Sequence, residues 1–150
     1  MSPIGRPAIA ATATGTLTAT ITIVSTCQVV SSGTLDFGVA PTLVAAHDVQ
    51  ANFAVQCPDT TPFNVGLNAG STPGGSVATR LMSSGSGAVG YQLYSNAART
   101  ANWGNTVGAD TVSGSGSGGL LNFTVYGRVA PQSTPAPGTY GDTVTVTVTY

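Results

Sequence analysis

Few side chains in this sequence could act as acids, bases or nucleophiles. The 150 residues include one histidine, five aspartates and four arginines, with no lysine and no glutamate. A serine nucleophile would need His47 as its base, and no serine stands in a GxSxG elbow. His47 lies in the sequence Ala-Ala-His-Asp, which favours an exposed loop or strand-edge position over a catalytic one. We therefore predict that the protein is not an enzyme and has no catalytic residue.

The carboxylates and thiols suggest no cofactor chemistry either. Glycoside hydrolysis needs a pair of carboxylates, but Asp59 lies in a Pro-Asp-Thr turn, and Asp36 and Asp142 fall inside strand patterns. Cys27 and Cys57 are too far apart for a CxxC metal motif, and one histidine cannot complete a zinc site. Two interpretations of the cysteines stay open here: a disulfide in an exported protein, or two buried thiols in a cytosolic one. We expect no metal and no cofactor.

The composition excludes several classes of partner. Only 6% of the residues are charged and the net charge is −1, whereas about 25% are charged in an average soluble domain. Four scattered arginines cannot form the basic patch that nucleic acid requires. No stretch approaches the roughly 20 apolar residues of a membrane-spanning helix, so we expect no membrane span. Residues 1–7 lack the apolar region of a signal peptide, and we expect that any export leader has been removed or lies outside this sequence.

The strongest pattern in the sequence is period-two alternation, which is typical of a strand with one buried face. From Ala11 to Ile23 every even position is threonine and every odd position is apolar or glycine, which predicts one long strand. The same alternation from Asp142 to Tyr150 predicts a second one. Shorter strands are predicted between turn residues at 27–30, 34–37, 48–57, 63–68, 90–94 and 120–129, and the Ser-Gly run 113–119 is typical of a flexible loop. No useful helical pattern occurs, so we predict an all-β antiparallel sandwich.

The two long strands are the first and the last in the predicted order, and such strands can lie at a sheet edge without a neighbour. Exposed apolar-faced edge strands are aggregation hazards, and proteins usually blunt them with lysine, proline or bulges. Neither strand carries a lysine or a glutamate. This indicates an edge that is meant to pair with another strand.

Six short stretches, in a fixed order and with both cysteines placed among them, give the sequence its family resemblance. They are Leu35-Asp36-Phe37-Gly38; Val55-Gln56-Cys57-Pro58; Arg80-Leu81-Met82; Tyr91-Gln92-Leu93-Tyr94-Ser95 with Arg99-Thr100-Ala101-Asn102-Trp103-Gly104; Val125-Tyr126-Gly127-Arg128-Val129; and Gly138-Thr139-Tyr140-Gly141-Asp142-Thr143-Val144-Thr145-Val146. From about residue 16 to residue 150 the chain resembles the spore coat protein U-like domain, the subunit family of archaic chaperone–usher pili.

The resemblance implies an incomplete immunoglobulin-like antiparallel sandwich that lacks its final strand. A donor strand from a neighbouring subunit would complete it by β-strand addition. Residues 1–24 would form the N-terminal extension with the donor strand, and residues 25–150 the pilin sandwich domain. The implied donor residues are Ala13, Gly15, Leu17, Ala19, Ile21 and Ile23. The implied acceptor groove comprises Val29, Leu35, Phe37, Val144, Val146, Val148 and Tyr150. Cys27 and Cys57 look like the disulfide of the family.

The function implied by the resemblance is that of a structural subunit, with a major subunit favoured, of an extracellular adhesive pilus. Its partners would be identical or homologous subunits in a head-to-tail filament, and a periplasmic chaperone and an outer-membrane usher during assembly. A tip adhesin of this family would be expected to add a second, binding domain.

One alternative is a self-contained secreted sandwich that binds glycans or surfaces and folds its N-terminal strand into its own groove. Only Val24, Ser25 and Thr26 separate Ile23 from Cys27, too few residues to double back easily, which favours donation to another chain. A glycan platform on Trp103 is also less favoured than core packing of this side chain.

Overall fold

The computed structural model of the protein describes residue 5 and residues 10–150. The expectation about a leader in residues 1–7 falls almost entirely outside this part of the chain, as does the beginning of the extension. All regular structure in the described residues is β, as predicted. The eight strands are β1 (Gln28–Ser31), β2 (His47–Gln56), β3 (Pro62–Leu67), β4 (Arg80–Ser83), β5 (Ala88–Tyr94), β6 (Val112–Ser115), β7 (Leu120–Val129) and β8 (Val146–Thr149).

The strands form two antiparallel sheets. The first has the order β1-β2-β7-β5-β4 and the second has the order β6-β3-β8. The longest pairing in the first sheet joins β2 to β7 over ten residues, from His47 opposite Val129 to Gln56 opposite Leu120. In both sheets apolar residues alternate with polar ones, so each sheet has one face that must be covered. The two apolar faces meet in a single core.

Aromatic side chains fill the centre of this core. The rings of Phe53 and Phe123 stack at 5.7 Å between centroids, and Phe63 meets Phe123 edge-on at 6.0 Å. Trp103 is 1% exposed, and its Nε1 donates a hydrogen bond of 2.8 Å to the Val65 carbonyl. Trp103 therefore serves core packing, as expected, and cannot form a surface platform for a sugar.

A buried arginine ties the loops at one end of the core together. Arg80 has no exposed surface, and burial lowers the pKa of its guanidinium. Its three nitrogens donate to main-chain carbonyl oxygens at 2.7–3.1 Å; these belong to Leu67, Asn68, Val77 and Trp103. Because buried charge is costly unless it is hydrogen-bonded, these carbonyls explain how the core tolerates it.

Five details differ from the prediction. The alternating segment Ala11–Ile23 forms no strand and is exposed throughout, because a strand needs a partner for its main-chain groups and the described residues offer it none. Residues 34–37 also lie outside any strand, and the last strand begins only at Val146. The run predicted as a flexible loop contributes β6, where Gly114 packs so closely on the Phe63 ring that a side chain would collide with it. β4 was not predicted.

Candidate functional site

The two sheets leave a seam open between β1 and β8. Each of these strands is the last of its sheet, and within the described part of the chain neither has a neighbour on its outer edge. β1 and β8 contact each other across the seam. An unpaired sheet edge presents free N–H and C=O groups that can pair with another chain.

A groove with apolar walls runs along this seam. It consists of two adjoining cavities of about 520 and 580 Å³, which share Leu35, Phe37, Met82 and Tyr140 in their walls. In the first cavity, the segment after β1 forms one wall, the segment before β8 forms the other, and inward side chains of the first sheet form the floor. In the second, residues 38–43 face residues 134–140. The groove is therefore bounded by the segments that flank the two unpaired edges.

A glycine on β7 positions the wall that follows β1. Leu35 and Phe37 pack so closely over Gly127 that a β-carbon on this residue would lie 2.5 Å from Leu35 and 2.9 Å from Phe37. The Phe37 ring also meets the Tyr91 ring at 6.1 Å between centroids. Because these contacts seat both side chains on the first sheet, they line the groove although they belong to no strand.

The structure brings together some of the predicted acceptor residues. Leu35, Phe37, Val144 and Val146 line the first cavity. Val29, Val148 and Tyr150 do not line it. Val29 is 39% exposed on β1, Val148 packs on the core opposite Val65, and Tyr150 is 57% exposed.

Several lining residues were not predicted. They are Phe53, Met82, Tyr91, Leu93, Val125 and Tyr140. Alternation within β2, β5 and β7 marks most of them as inward-facing. Alternation does not indicate which part of an inward face lies under the open seam, because that depends on the order of the strands.

The six predicted donor residues lie on the extension, away from the groove. Residues 10–26 are exposed, and the exposed fractions are 96% for Leu17, 83% for Ile21 and 80% for Ile23. The extension joins the domain at Cys27, which forms a disulfide with Cys57 directly after β2. In the structure the extension thus presents its apolar side chains to solvent and is not folded into the groove of its own chain.

One carboxylate lies in the wall of the first cavity. Asp142 accepts hydrogen bonds from Ser71, Thr72 and Tyr91, with a Tyr91 Oη–Asp142 Oδ2 distance of 2.6 Å. Burial raises the pKa of Asp142, but the bonds from Tyr91, Thr72 and the main chain outweigh it, so the net shift is downward. Burial, and then the bond to Asp142, raise the pKa of the Tyr91 phenol. At neutral pH the wall therefore carries a carboxylate with many hydrogen-bond partners and a neutral tyrosine.

The other candidate groups for chemistry each make separate contacts. The His47 Nε2 atom lies 3.3 Å from the Thr42 carbonyl oxygen beside the second cavity. Asp36 accepts a hydrogen bond from the Gly38 amide in a turn. Asp48 pairs with Arg128 and Arg99 on the outer face of the first sheet. Nothing in this arrangement suggests a pair of carboxylates that act together.

Comparison with known proteins gives two findings. The Spore Coat Protein U domain matches residues 13–147. Among solved structures, the chain is similar to the crystal structure of the CsuC-CsuE chaperone-tip adhesion subunit pre-assembly complex from archaic chaperone-usher Csu pili of Acinetobacter baumannii, with 26% sequence identity and a TM-score of 0.61. The similarity covers 86% of this chain and 40% of the matched chain, so this chain spans less than half of its length. None of the curated proteins compared with it matches significantly.

The described residues contain no helix long and apolar enough to cross a membrane. The family match extends from within the exposed extension almost to the end of β8, and so includes both sides of the open seam. The fold agrees with this match, since an all-β chain with a disulfide at Cys27 and Cys57 is what the resemblance implied. The chain belongs to the Spore Coat Protein U domain family.

Proposed function

We propose that the protein is a structural subunit of an extracellular chaperone–usher pilus, in which the extension of one copy fills the groove of the next. The observation that carries this proposal is the pairing of two unsatisfied features on one chain. The groove lies between the segments that flank two unpaired sheet edges, and the extension presents alternating apolar side chains that its own domain does not cover. The groove lacks a strand and the extension lacks a surface that covers its apolar side chains, so each can supply what the other lacks.

The dimensions and the chemistry of the two features are compatible. An extended segment rises about 3.3 Å per residue, so residues 11–23 would span about 40 Å as a donor strand. A donor strand along β8 would place its odd-numbered side chains into the groove and its threonines outward. Each main-chain hydrogen bond contributes only about 1 kcal/mol net. Added over a whole strand, with apolar burial at about 25 cal/mol per Å², they would make a long-lived contact.

Head-to-tail donation builds a filament because the contact is not closed by symmetry. A chain that carries both a donor segment and a groove can be added repeatedly, so we propose a repeating, major subunit. Under this proposal residues 1–24 are the extension and residues 25–150 the sandwich domain. Ala13, Gly15, Leu17, Ala19, Ile21 and Ile23 are the proposed donor side chains. Val29, Leu35, Phe37, Val144, Val146, Val148 and Tyr150 are the proposed acceptor set, of which the four that line the first cavity would make the main contacts.

The proposed assembly partners are those that the resemblance implies. An open groove would need cover before assembly, which a periplasmic chaperone would give, and an outer-membrane usher would exchange the chaperone for a donor strand. The matched structure is by its title a complex of a chaperone with a pilus tip adhesion subunit before assembly. The finished filament would lie on the cell surface.

The test is non-reducing gel electrophoresis in SDS of filaments sheared from cells that assemble the protein, with and without boiling. We expect a ladder of multimers that collapses on boiling to a band near 14.8 kDa. Ile21→Asp should abolish the ladder, because it places a charge in the groove. The matched control is Thr20→Asp, which adds the same charge to the outward side of the donor strand and should keep the ladder. A monomer band in every lane would instead indicate a self-contained binding module.

A further inference from the structure

The groove wall that precedes β8 has little regular structure of its own. Between the end of β7 at Val129 and the start of β8 at Val146, its strand-like pairing within the described residues is one isolated bridge, Gly141 with Ser83. Residues 140–144 nevertheless line the first cavity. Other contacts must therefore hold this wall in place.

The Asp142 carboxylate makes five of these contacts as hydrogen bonds. Its Oδ1 atom accepts from the main-chain N–H and the hydroxyl of both Ser71 and Thr72, at 2.9–3.3 Å. Its Oδ2 atom accepts from the Tyr91 hydroxyl on β5. The two oxygens thus join the wall to a loop on one side and to the first sheet on the other.

The loop that receives the carboxylate is shaped for it. Gly70 has a φ of +86° and lies so close to the Asp142 carboxylate that a β-carbon would collide with it. The Asn68 Oδ1 atom accepts from the amides of Gly70 and Thr145, so the same loop also holds the chain three residues after Asp142. We call residues 68–72 the wall-holding loop.

Asp142 is also the one charged residue among the described residues that line the first cavity. A charge that becomes covered is costly unless hydrogen bonds already satisfy it. The five donated bonds satisfy this carboxylate before any strand enters, so closure of the groove would not leave it unpartnered.

We propose that Asp142 is a positioning residue of the acceptor groove: its carboxylate holds the wall at residues 140–144 in the conformation that a donor strand requires. This inference rests on the proposed function. Loss of the charge would remove acceptors that the wall-holding loop and Tyr91 need, and the wall would shift relative to the floor.

The proposal makes donor-strand binding sensitive to acid. The titratable groups that face Asp142 from neighbouring strands are Tyr91 on β5 and Arg80 on β4, and Asp110 acts on Arg80 from a separate loop. Tyr91 is neutral and Arg80 charged throughout the acid range. The pKa of Asp142 lies below its ordinary value of 3.8, so its contribution is present above that value and is lost as the pH falls through the lowered pKa.

The test measures the unboiled gel ladder from neutral pH to about pH 2, with Trp103 fluorescence as a parallel report on the core. For the wild type we expect the ladder to weaken in acid while Trp103 fluorescence stays native. Asp142→Asn should weaken the ladder at neutral pH and flatten its acid dependence. Tyr91→Phe removes one donor and keeps the ring, so the ladder should be lost at a higher pH than in the wild type.

The matched control is Asp59→Asn, which neutralises an exposed turn carboxylate and should keep the wild-type profile. If Asp142→Asn does not fold, the pH midpoint at which Tyr91→Phe loses its ladder, compared with that of the wild type, decides the question. The proposal is overturned if both variants keep the strength and midpoint of the control, or if every loss of ladder coincides with a change in Trp103 fluorescence. A wild type without any ladder at neutral pH would overturn the proposed function instead, and this inference with it.

Discussion

The extension and β8 have almost the same chemistry and opposite environments. Both alternate threonine with apolar residues, and both present threonine on one face. In β8, Val146 lies opposite Leu67 and Val148 opposite Val65, and both valines pack against the core. In the extension, Leu17 is 96% exposed.

The difference between the two segments is the presence of a neighbour. β3 satisfies the main-chain groups along one edge of β8, and the core covers the apolar face of β8. The extension has no such strand in the described part of its own chain. An amphipathic strand is therefore only half of a structural unit, and its partner can belong to another molecule.

Removal of the disulfide should have the largest effect, because this bridge fixes the base of the extension to the sheet that contains β2. Replacement of both Cys27 and Cys57 by alanine should lower the free energy of unfolding by about 2–5 kcal/mol. Urea unfolding of the variant, with reduced wild type as the control, measures this. A loss below about 1 kcal/mol would mean that strand pairing alone secures the base of the extension.

An introduced aspartate should lower the stability of the subunit when it lies in β8 but not when it lies in the extension. Val148→Asp places a carboxylate against the core beside Val65 and should lower the free energy of unfolding by at least about 2 kcal/mol. Leu17→Asp adds the charge to the exposed extension and should leave the unfolding midpoint of the isolated subunit unchanged. Thermal unfolding of the two monomeric variants would contradict the comparison if both lost stability equally.

A smaller substitution in the extension should separate assembly from folding. Leu17→Ala should leave the monomer as stable as the wild type but weaken the contact between subunits by about 1.5–3 kcal/mol, since a leucine that becomes buried on assembly contributes roughly this amount. The temperature at which the gel ladder collapses measures the contact. Thr18→Ala, on the outward face, is the matched control and should change neither property.

The smallest effect is expected far from both segments, on the outer face of the first sheet. Asp48 accepts two hydrogen bonds from Arg128, at 2.7 and 2.9 Å, and these lower the pKa of its carboxyl. Its stabilising contribution is therefore present above the ordinary pKa and lost as the pH falls through the lowered one. Because this pair is exposed, Asp48→Asn should shift the unfolding midpoint only slightly, and added salt should shrink the shift further. A large shift would mean that this face also holds the domain together.

Local pattern in the sequence predicted the strand content, whereas the predicted groove residues came from the resemblance. β-Forming residues between turns placed β7 at its observed bounds and β2 and β3 to within a residue or two, because both faces of these strands have fixed environments. Leu35 and Phe37 came from the resemblance and do line the groove. The omission of Tyr91, Met82 and Tyr140 has a physical cause, since these side chains approach the seam only when β4 and β5 pair beyond β7 and the segment before β8 folds over them.

The segment Ala11–Ile23 marks the limit of such reasoning. Its alternation predicts a strand with one buried face, yet in the structure the segment forms no strand and is exposed throughout. β6 is the reverse case, since a Ser-Gly composition without pattern pairs with β3 because Gly114 fits beneath the Phe63 ring. Periodicity predicts which face of a segment will be covered, whereas the topology of the sheets determines what covers it.

The bridge between Cys27 and Cys57 also determines how a filament of such subunits would carry tension. A pull on the extension arrives at Cys27, from which the main chain leads into β1, a strand of four residues. The covalent bridge offers a shorter route to the end of β2, which is paired with β7 over ten residues. Residues 32–37, one wall of the groove, lie inside the loop that the bridge closes, so a pull on the extension reaches β2 without passing along their main chain. Tension on the extension would therefore not draw out the main chain of this wall.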